Sequence, residues 1–310
     1  MYSIVVPVYR NAESIPSLLT ALDRLASNVN PLEVVFVVDG SPDASWQLLN
    51  DSLGNCRFRS KLILLSRNFG SFAAIKTGLA QAEGEYFAVM AADLQEPPEL
   101  VAEFFRLLEA EPVDVTIGMR EGRDDPWLSR LSANLFWSVY RRFVQKEVPP
   151  GGVDIFGCNR PVRDRLVAFT ENNSFLVGQL LWLGFRRKLV PYVRRRREHG
   201  TSAWSLRKKL HYLMDAIFAF SDLPIRLLVA FGLLGMAAAI FLSALVVVAK
   251  LSGMISVPGY TATVLVIVFF AALNSLGLGI IGSYTWRVFE NTKARPHAIV
   301  MDQKSFDGTK

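Results

Sequence analysis

Apolar residues gather early in the chain in short unbroken runs and late in two long ones. Ser3–Val8 (SIVVPV), Leu32–Val38 (LEVVFVV), Lys61–Leu65 and Val113–Gly118 are short, rich in β-branched residues and bounded by polar or glycine-bearing turns, which predicts strands. Tyr86–Ala92 is also continuous rather than alternating, the pattern of a strand covered on both faces in a parallel sheet. Between these runs the spacing predicts helices over about Ala12–Ser27, from about Asp43, over Ser71–Ala82 and over Pro98–Glu109. Strands alternating with helices give an α/β fold with a doubly wound, mostly parallel sheet.

In such a sheet ligands bind beyond the carboxyl ends of the strands. Asp39, Arg67 and Asn68, Asp93 and Gln95, and Arg120 and Arg123 all follow predicted strands, so they should gather along one edge. Pro97-Pro98 stops the central strand and opens the next helix. Asp93 then has two readings: a helix cap, worth ~1 kcal/mol, or a ligand to substrate or metal.

The second half of the chain is patterned differently. Asp125–Phe143 places Trp127, Leu131, Leu135, Val139 and Phe143 on one helical face, equally suited to packing on the sheet and to lying on a membrane surface. Gly151–Asn159 is strand-like and carries an isolated acid, Asp154, whose bland role is to pair with Arg160 or Arg163. Ser205–Asp222 has an apolar face of Leu206, Leu210, Leu213, Ile217 and Phe220 beside Arg207, Lys208 and Lys209, which favours an interfacial helix. Leu227–Ala249 and Val257–Trp286 contain no charge, and each exceeds the ~20 residues needed to span a bilayer. Two membrane helices are expected. The G-x-G-x-x-G at Gly277–Gly282 lies inside the second, so it reads as close helix packing rather than a cofactor loop.

Charge adds a direction to this arrangement. The chain has 310 residues and a net charge of +6, but its basic residues crowd before the first apolar stretch (Arg186 to Lys188, Arg194 to Arg197, Arg207 to Lys209) and after the second (Arg287, Lys293, Arg295). The positive-inside rule places both flanks in the cytoplasm and predicts a multi-pass protein of the cell (inner) membrane with both termini cytoplasmic. It also explains the basicity as topology and anionic-lipid contact, with no nucleic-acid face. The expected division is a catalytic domain over 1–204, a juxtamembrane helix over 205–224, two spans over 225–288 and a cytosolic tail over 289–310. Met1–Val8 has no basic segment before its apolar run and does not read as a signal peptide. Cys56 and Cys158 lack metal or redox spacing, and His199, His211 and His297 form neither a metal site nor a triad.

Taken together, SIVVPVYRNAESI, VVFVVDGSPDAS, LSRNFG, ADLQEPPEL, GVDIFG and REHGTSAWSL resemble the inverting family 2 glycosyltransferases with a GT-A-type fold, and within them the polyprenyl-phosphate sugar transferases with two C-terminal membrane helices. The resemblance implies transfer of one sugar from a UDP- or GDP-linked donor to a polyprenyl phosphate, with inversion. It implies Mg2+ or Mn2+ at Asp93 and Gln95, nucleotide-sugar contacts from Pro7, Tyr9, Asp39, Ser41, Asn68, Asp93 and Arg120, and catalytic roles for Asp93, Asp154 and Arg197. Asp154 would act as base or acceptor-positioning group, and Arg197, in the R-x-x-G-x-S segment, would meet a phosphate. The implied partners are a nucleotide sugar, a polyprenyl phosphate and membrane lipids, with a homo-oligomer as an option. Three positions depart from the pattern: Ala91 replaces the first metal acid, Val38 the first acid of an Asp pair, and Ala203 a lysine. These departures motivate the rival reading, a non-catalytic membrane scaffold with a degraded metal site. A processive synthase is disfavoured, because no Q-x-x-R-W segment is present.

Overall fold

The computed structural model describes residues 1–120, 153, 155–171, 176–195, 214, 217–218, 221, 223–252 and 259–308. Asp154, Arg197, the expected helix over 125–143 and most of the expected interfacial helix lie outside the described residues.

The N-terminal half alternates as its pattern predicts. Strands β1 (Tyr2–Val8), β2 (Leu32–Val38), β3 (Arg59–Leu65), β4 (Tyr86–Val89) and β5 (Val115–Arg120) are separated by helices α1 (Ile15–Ala26), α2 (Ser45–Ser52), α3 (Ser71–Gln81) and α4 (Pro98–Ala110). Further on come β6 (Phe156–Asn159), α5 (Arg160–Ala168), α6 (Leu176–Trp182) and β7 (Arg187–Tyr192). Two long helices, α7 (Leu223–Leu251) and α8 (Tyr260–Thr292), precede a last strand, β8 (Val300–Phe306).

All eight strands form one sheet in the order β7-β5-β6-β4-β1-β2-β3-β8. β1 lies between β2 and β4 and is parallel to both, with Val5 opposite Val35 and Val89. β6 and β8 run antiparallel to their neighbours, and β5 and β7 are parallel. Every residue of β2 is buried, which is why its sequence is continuous rather than alternating. Its side chains nevertheless alternate in direction. Val34, Phe36 and Val38 join the core with Leu18, Leu22 and Phe104 from α1 and α4, while Val35 and Val37 join Ala74, Leu79 and Val162 from α3 and α5 on the other face.

At the amino edge a buried acid ties three strands. Glu33, 1 % exposed, accepts from Ser3 Oγ at 2.6 Å and from the backbone N–H of Glu83 at 2.8 Å, and faces Lys61 Nζ at 3.2 Å. These charged and hydrogen-bonded partners are what allow a carboxylate to sit inside the sheet.

The expected central strand is shorter than its apolar run: β4 ends at Val89, although Met90 N–H still donates to Val5 O at 3.0 Å. Asp93 therefore stands beyond a bend, not at the strand's last residue. β8 is the larger departure, because its segment was expected only as a tail. It follows the long helices and pairs with β3 from Ser60↔Phe306 to Leu65↔Val300. The return is also held by Lys76, whose Nζ donates to Phe169 O at 2.6 Å and lies 3.5 Å from His297 Nε2.

α7 covers the expected first span, and α8 begins at Tyr260, inside the second. Among the described residues, the one segment long and apolar enough to cross a bilayer, by length and composition, is Leu223–Leu242, with mean hydropathy 2.3. The glycine-rich motif in α8 is only partly a packing feature. A Cβ at Gly277 would lie 3.2 Å from Leu228 Cδ1, but Cβ atoms at Gly279 and Gly282 would have nothing within 4 Å.

Gly78 lets α3 lie directly on the sheet, since a Cβ there would approach Val5 Cγ1 to 2.3 Å. Gly78→Ala is therefore expected to destabilise the protein by about 1–3 kcal/mol through overpacking, and Val5→Ala in the same chain should recover part of the loss. Thermal unfolding in detergent measures both; a Gly78→Ala variant as stable as the parent would refute the close seating.

Candidate active site

The parallel register of β1 to β4 brings four loops to one edge, and each holds a residue in the left-handed region. They are Arg10 (φ 56°) after β1, Gly40 (55°) after β2, Gly70 (98°) after β3 and Leu94 (53°) after β4. Gly40 has no substitute, because a Cβ there would lie 2.3 Å from the backbone carbon of Arg67. Arg10 and Leu94 adopt a conformation costing ~1–2 kcal/mol for an L-residue, so their surroundings must hold them. Arg10 N–H donates to Ser41 Oγ at 2.7 Å, and the Leu94 side chain packs against the α1/α4 core.

The first two loops form one hydrogen-bonded unit around an acid that sequence reasoning missed. Ser41 Oγ donates to Asp43 Oδ1 at 2.6 Å, Ala12 N–H donates to Asp43 Oδ2 at 3.0 Å, and Ser45 N–H donates to Asp43 Oδ1 at 3.2 Å. Burial opposes ionisation of Asp43, but the donors from Ser41, Ser45 and the Ala12 and Ser45 amides outweigh it and hold the carboxyl below its ordinary range. The available signal was an aspartate just ahead of a helix, where such side chains take up free amides. Tyr9 N–H donates to Asn11 Oδ1 at 3.0 Å, and Pro7 lies in β1 opposite Val37.

Asp39, 2 % exposed, joins the second loop to the third. Its oxygens accept from Phe69 N–H at 2.7 Å and Gly70 N–H at 2.8 Å, and Asn68 Nδ2 donates to the Asp39 carbonyl at 3.4 Å. Burial raises its pKa, against the two amides and the nearby Arg67, which lower it. The carboxylate expected at the base or ribose is thus engaged with backbone amides, and Arg67 beside it lies 4.0 Å over the Phe69 ring.

In the fourth loop Asp93 is not the cap of α4. The cap position of α4 is Pro97, and Asp93 Oδ1 instead accepts from Gln95 N–H at 3.3 Å. Gln95 is held from across the sheet: its Oε1 accepts from Arg194 Nη2 at 2.7 Å and its backbone carbonyl from Arg195 N–H at 2.9 Å. Arg194 Nε also lies 3.6 Å from Glu96 Oε1, whose side chain is 2 % exposed, and Arg195 lies 3.3 Å from Glu99. Sequence reasoning gave the arginine run to the lipid surface apart from Arg197; the structure brings Arg194 to the Asp93–Glu96 turn. A lone acid, Glu96, beside an apolar segment was the one hint that a cation must come to it.

Arg120 closes β5 opposite Tyr192. Asp154 and Arg197 lie outside the described residues. Arg160 binds the carbonyls of Glu83 and Gly84 and lies 3.0 Å from Glu85; Arg163 binds the carbonyls of Leu79 and Ala82. No group of three or more His, Cys, Asp or Glu able to hold a metal occurs among the described residues. At this edge Asp93 and Gln95 offer one carboxylate and one amide oxygen. That donor set fits a hard cation such as Mg2+, which takes its other ligands from water and substrate phosphates.

Residues 3–168 match the model of glycosyl transferase family 2. The chain belongs to glycosyl transferase family 2. It is 32 % identical over 303 residues to CsbB of Bacillus subtilis (strain 168), which carries a glycosyltransferase name, covering 97 % of this chain and 92 % of the relative. It is 29 % identical to the undecaprenyl-phosphate 4-deoxy-4-formamido-L-arabinose transferase of Edwardsiella ictaluri (97 % and 93 % covered) and 28 % identical to the bactoprenol glucosyl transferase of Shigella phage SfV (97 % and 98 %). Among solved structures, glucosyl-3-phosphoglycerate synthase of Mycobacterium tuberculosis superposes with a TM-score of 0.50 at 17 % identity over 70 % of this chain and 80 % of its own. That likeness bears on the fold alone, a mostly parallel mixed sheet of the GT-A-like kind.

The Asp43 network carries a pH signature in this family 2 chain. A folded-state pKa below the unfolded value contributes stability above the ordinary aspartate range and loses it as pH falls through the folded value. Asp43→Asn should flatten that acid loss below about pH 4 and cost roughly 1 kcal/mol at neutral pH, the size of one net hydrogen bond. Urea unfolding between about pH 3 and 7 tests this, and a variant with the parent's acid limb would refute it.

Proposed function

We propose that this family 2 enzyme transfers a single sugar from a nucleotide sugar to a polyprenyl phosphate at the cytoplasmic face of the membrane, with inversion at the anomeric carbon. The observation that carries the proposal is the extent of the similarity. It does not stop with the transferase domain at residue 168 but runs over 97 % of the chain, through both long helices, in relatives named for undecaprenyl-phosphate and bactoprenol. An isoprenoid acceptor stays in the bilayer, so an enzyme acting on it needs its catalytic edge held at the surface.

The pairing of β8 with β3 supports two crossings. The chain leaves the sheet after β7 and rejoins it after α8, so it crosses the membrane an even number of times if it crosses at all. The second crossing belongs to α8, which carries no charge from Tyr260 through Trp286. The basic flanks put the sheet in the cytoplasm.

At the edge, the loops after β1 to β3 are the surface on which we place the nucleotide, with Pro7, Tyr9, Asp39, Ser41, Asn68 and Arg120 around it. Asp93 and Gln95 would hold Mg2+ or Mn2+, which when bound neutralises charge on the departing nucleoside diphosphate. The acceptor phosphate has a second pKa near ~6 and is largely anionic at neutral pH, so the chain need supply little base. Asp154 then orients the acceptor, and Arg197 meets a phosphate. The scaffold reading, motivated by Ala91 and Val38, predicts no transfer at all.

The experiment is to incubate membranes containing the protein with a panel of UDP- and GDP-sugars and undecaprenyl phosphate, and to read the lipid product by mass spectrometry. Arg197→Ala is expected to reduce transfer ~100-fold or more, the scale of losing one electrostatic stabiliser. Arg195→Ala should cost far less, since its guanidinium meets the exposed Glu99. Equal losses would mean that the arginines act only as a charge patch, and no product from any donor would favour the scaffold.

A further inference from the structure

The link between Arg194 and Gln95 joins segments 99 positions apart at 2.7 Å. Arg194 is fixed from behind by Glu96, an acid with 2 % side-chain exposure, while Arg194 itself is 30 % exposed. The guanidinium is thus anchored on a buried charge and lies at the open edge of the site. There it occupies the amide oxygen that the Asp-x-Gln segment presents, the oxygen to which the function proposed above assigns a divalent cation. A guanidinium and a divalent cation on one neutral oxygen would stand only a few ångströms apart and repel strongly in a partly buried site. An anion between them would reverse the sign of that interaction. A nucleoside diphosphate is such an anion, able to ligate the cation with one oxygen and accept from the guanidinium with another.

We propose that Arg194 is a positioning residue that holds the metal's place on Gln95 in the nucleotide-free enzyme and passes to the diphosphate when the metal arrives with the nucleotide. The exchange is non-covalent. Gln95 Oε1 gives up an N–H donor and gains a cation, while the guanidinium, kept by Glu96, turns to a phosphate oxygen. Free metal is disfavoured and the metal–nucleotide pair is admitted, so binding is ordered. The absence of a carboxylate at Ala91 acts in the same direction, since it leaves Asp93 as the one acid in the Ala91–Gln95 stretch to attract a free cation.

This inference rests on the metal-assisted reading, and its test separates the two. The probe is Mn2+ alone, titrated into the full-length protein in detergent and followed by the resonance signal of free Mn2+, then repeated with UDP and with GDP. The double variant Arg194→Met/Glu96→Gln removes the ion pair as a unit and leaves the local net charge unchanged. It should bind Mn2+ without nucleotide at least about fivefold more tightly than the parent, and nucleotide should enhance that binding less, because the coupling is reciprocal. The KM for nucleotide sugar should rise, since a diphosphate partner is lost. Arg194→Lys, which keeps a charge over Glu96 but not the forked donor, should shift Mn2+ affinity in the same direction by less, and it carries the test if the double variant does not fold. If the parent's transfer is abolished by chelator but neither variant binds Mn2+ more tightly, the exchange is overturned while the metal reading stands. Full transfer by the parent in excess chelator overturns both.

Discussion

The site depends on one arrangement of backbone: β1 hydrogen-bonded between two strands that run in its own direction. Because β2 and β4 are both parallel to it, their carboxyl ends finish beside its own, and the chain must turn away in opposite senses on the two sides. A strand covered on both faces has no polar side chain to spare for chemistry, so function falls to the first residues beyond it. The crowding there is severe enough that Gly40 meets the backbone of Arg67 and that two L-residues, Arg10 and Leu94, take left-handed conformations.

The two sides of that edge are stabilised by opposite charges. On the β2 and β3 side, carboxylates are fixed by amides: Asp39 by Phe69 and Gly70, Asp43 by Ala12 and Ser45. On the β4 side the fixing group is a guanidinium, reaching from the strand at the far end of the sheet to Gln95 and Glu96. The first arrangement makes a rigid floor whose acids already hold donors. The second brings a guanidinium, paired with Glu96, to the turn that carries Asp93. A ligand with a neutral base and ribose at one end and a diphosphate at the other suits that polarity, which is why the proposed nucleotide lies across β1 rather than along it.

Much of this was legible because local pattern and tertiary environment agree. β2 runs from Leu32 to Val38 as its apolar run does, and α3 and α4 begin where glycine and proline mark them. β4 was read too long because Met90 and Ala92 are buried like strand residues but belong to the bend, and burial is what an apolar run reports. β8 was illegible for the converse reason. VMDQKSF is mostly exposed and has no pattern of its own; it is a strand because β3 offers it an edge. Arg194 could not be told from its neighbours, since four consecutive arginines present one charge patch locally and differ only in what waits across the sheet. Asp43 was passed over because its partners are backbone amides, which no side-chain motif announces. Asp154 and Arg197 remain assignments made by resemblance.

The C-terminal return gives the two long helices a second attachment to the sheet, and its chemistry suits a fixed joint at neutral pH. Lys76 is buried in α3, and burial pushes its amine down to about 8, so at pH 7 it remains mostly charged and donates to the Phe169 carbonyl. His297 reaches the same carbonyl at 3.2 Å. Burial and the Lys76 charge lower its pKa, against the carbonyl bond that raises it, so the imidazole is neutral and does not repel the amine. Both side chains therefore converge on one carbonyl, and β8 adds a ladder beyond them. A domain joined to its helices only through the segment after β7 would be free to swivel about that segment. Joined also through His297 and β8, it has a second tie that limits such swivelling, and in the membrane arrangement proposed above this would restrict how its carboxyl edge meets the bilayer. For an acceptor phosphate confined to a plane, that restriction converts a search over angles into a near-fixed approach, the share of a barrier that positioning can remove without any further catalytic group.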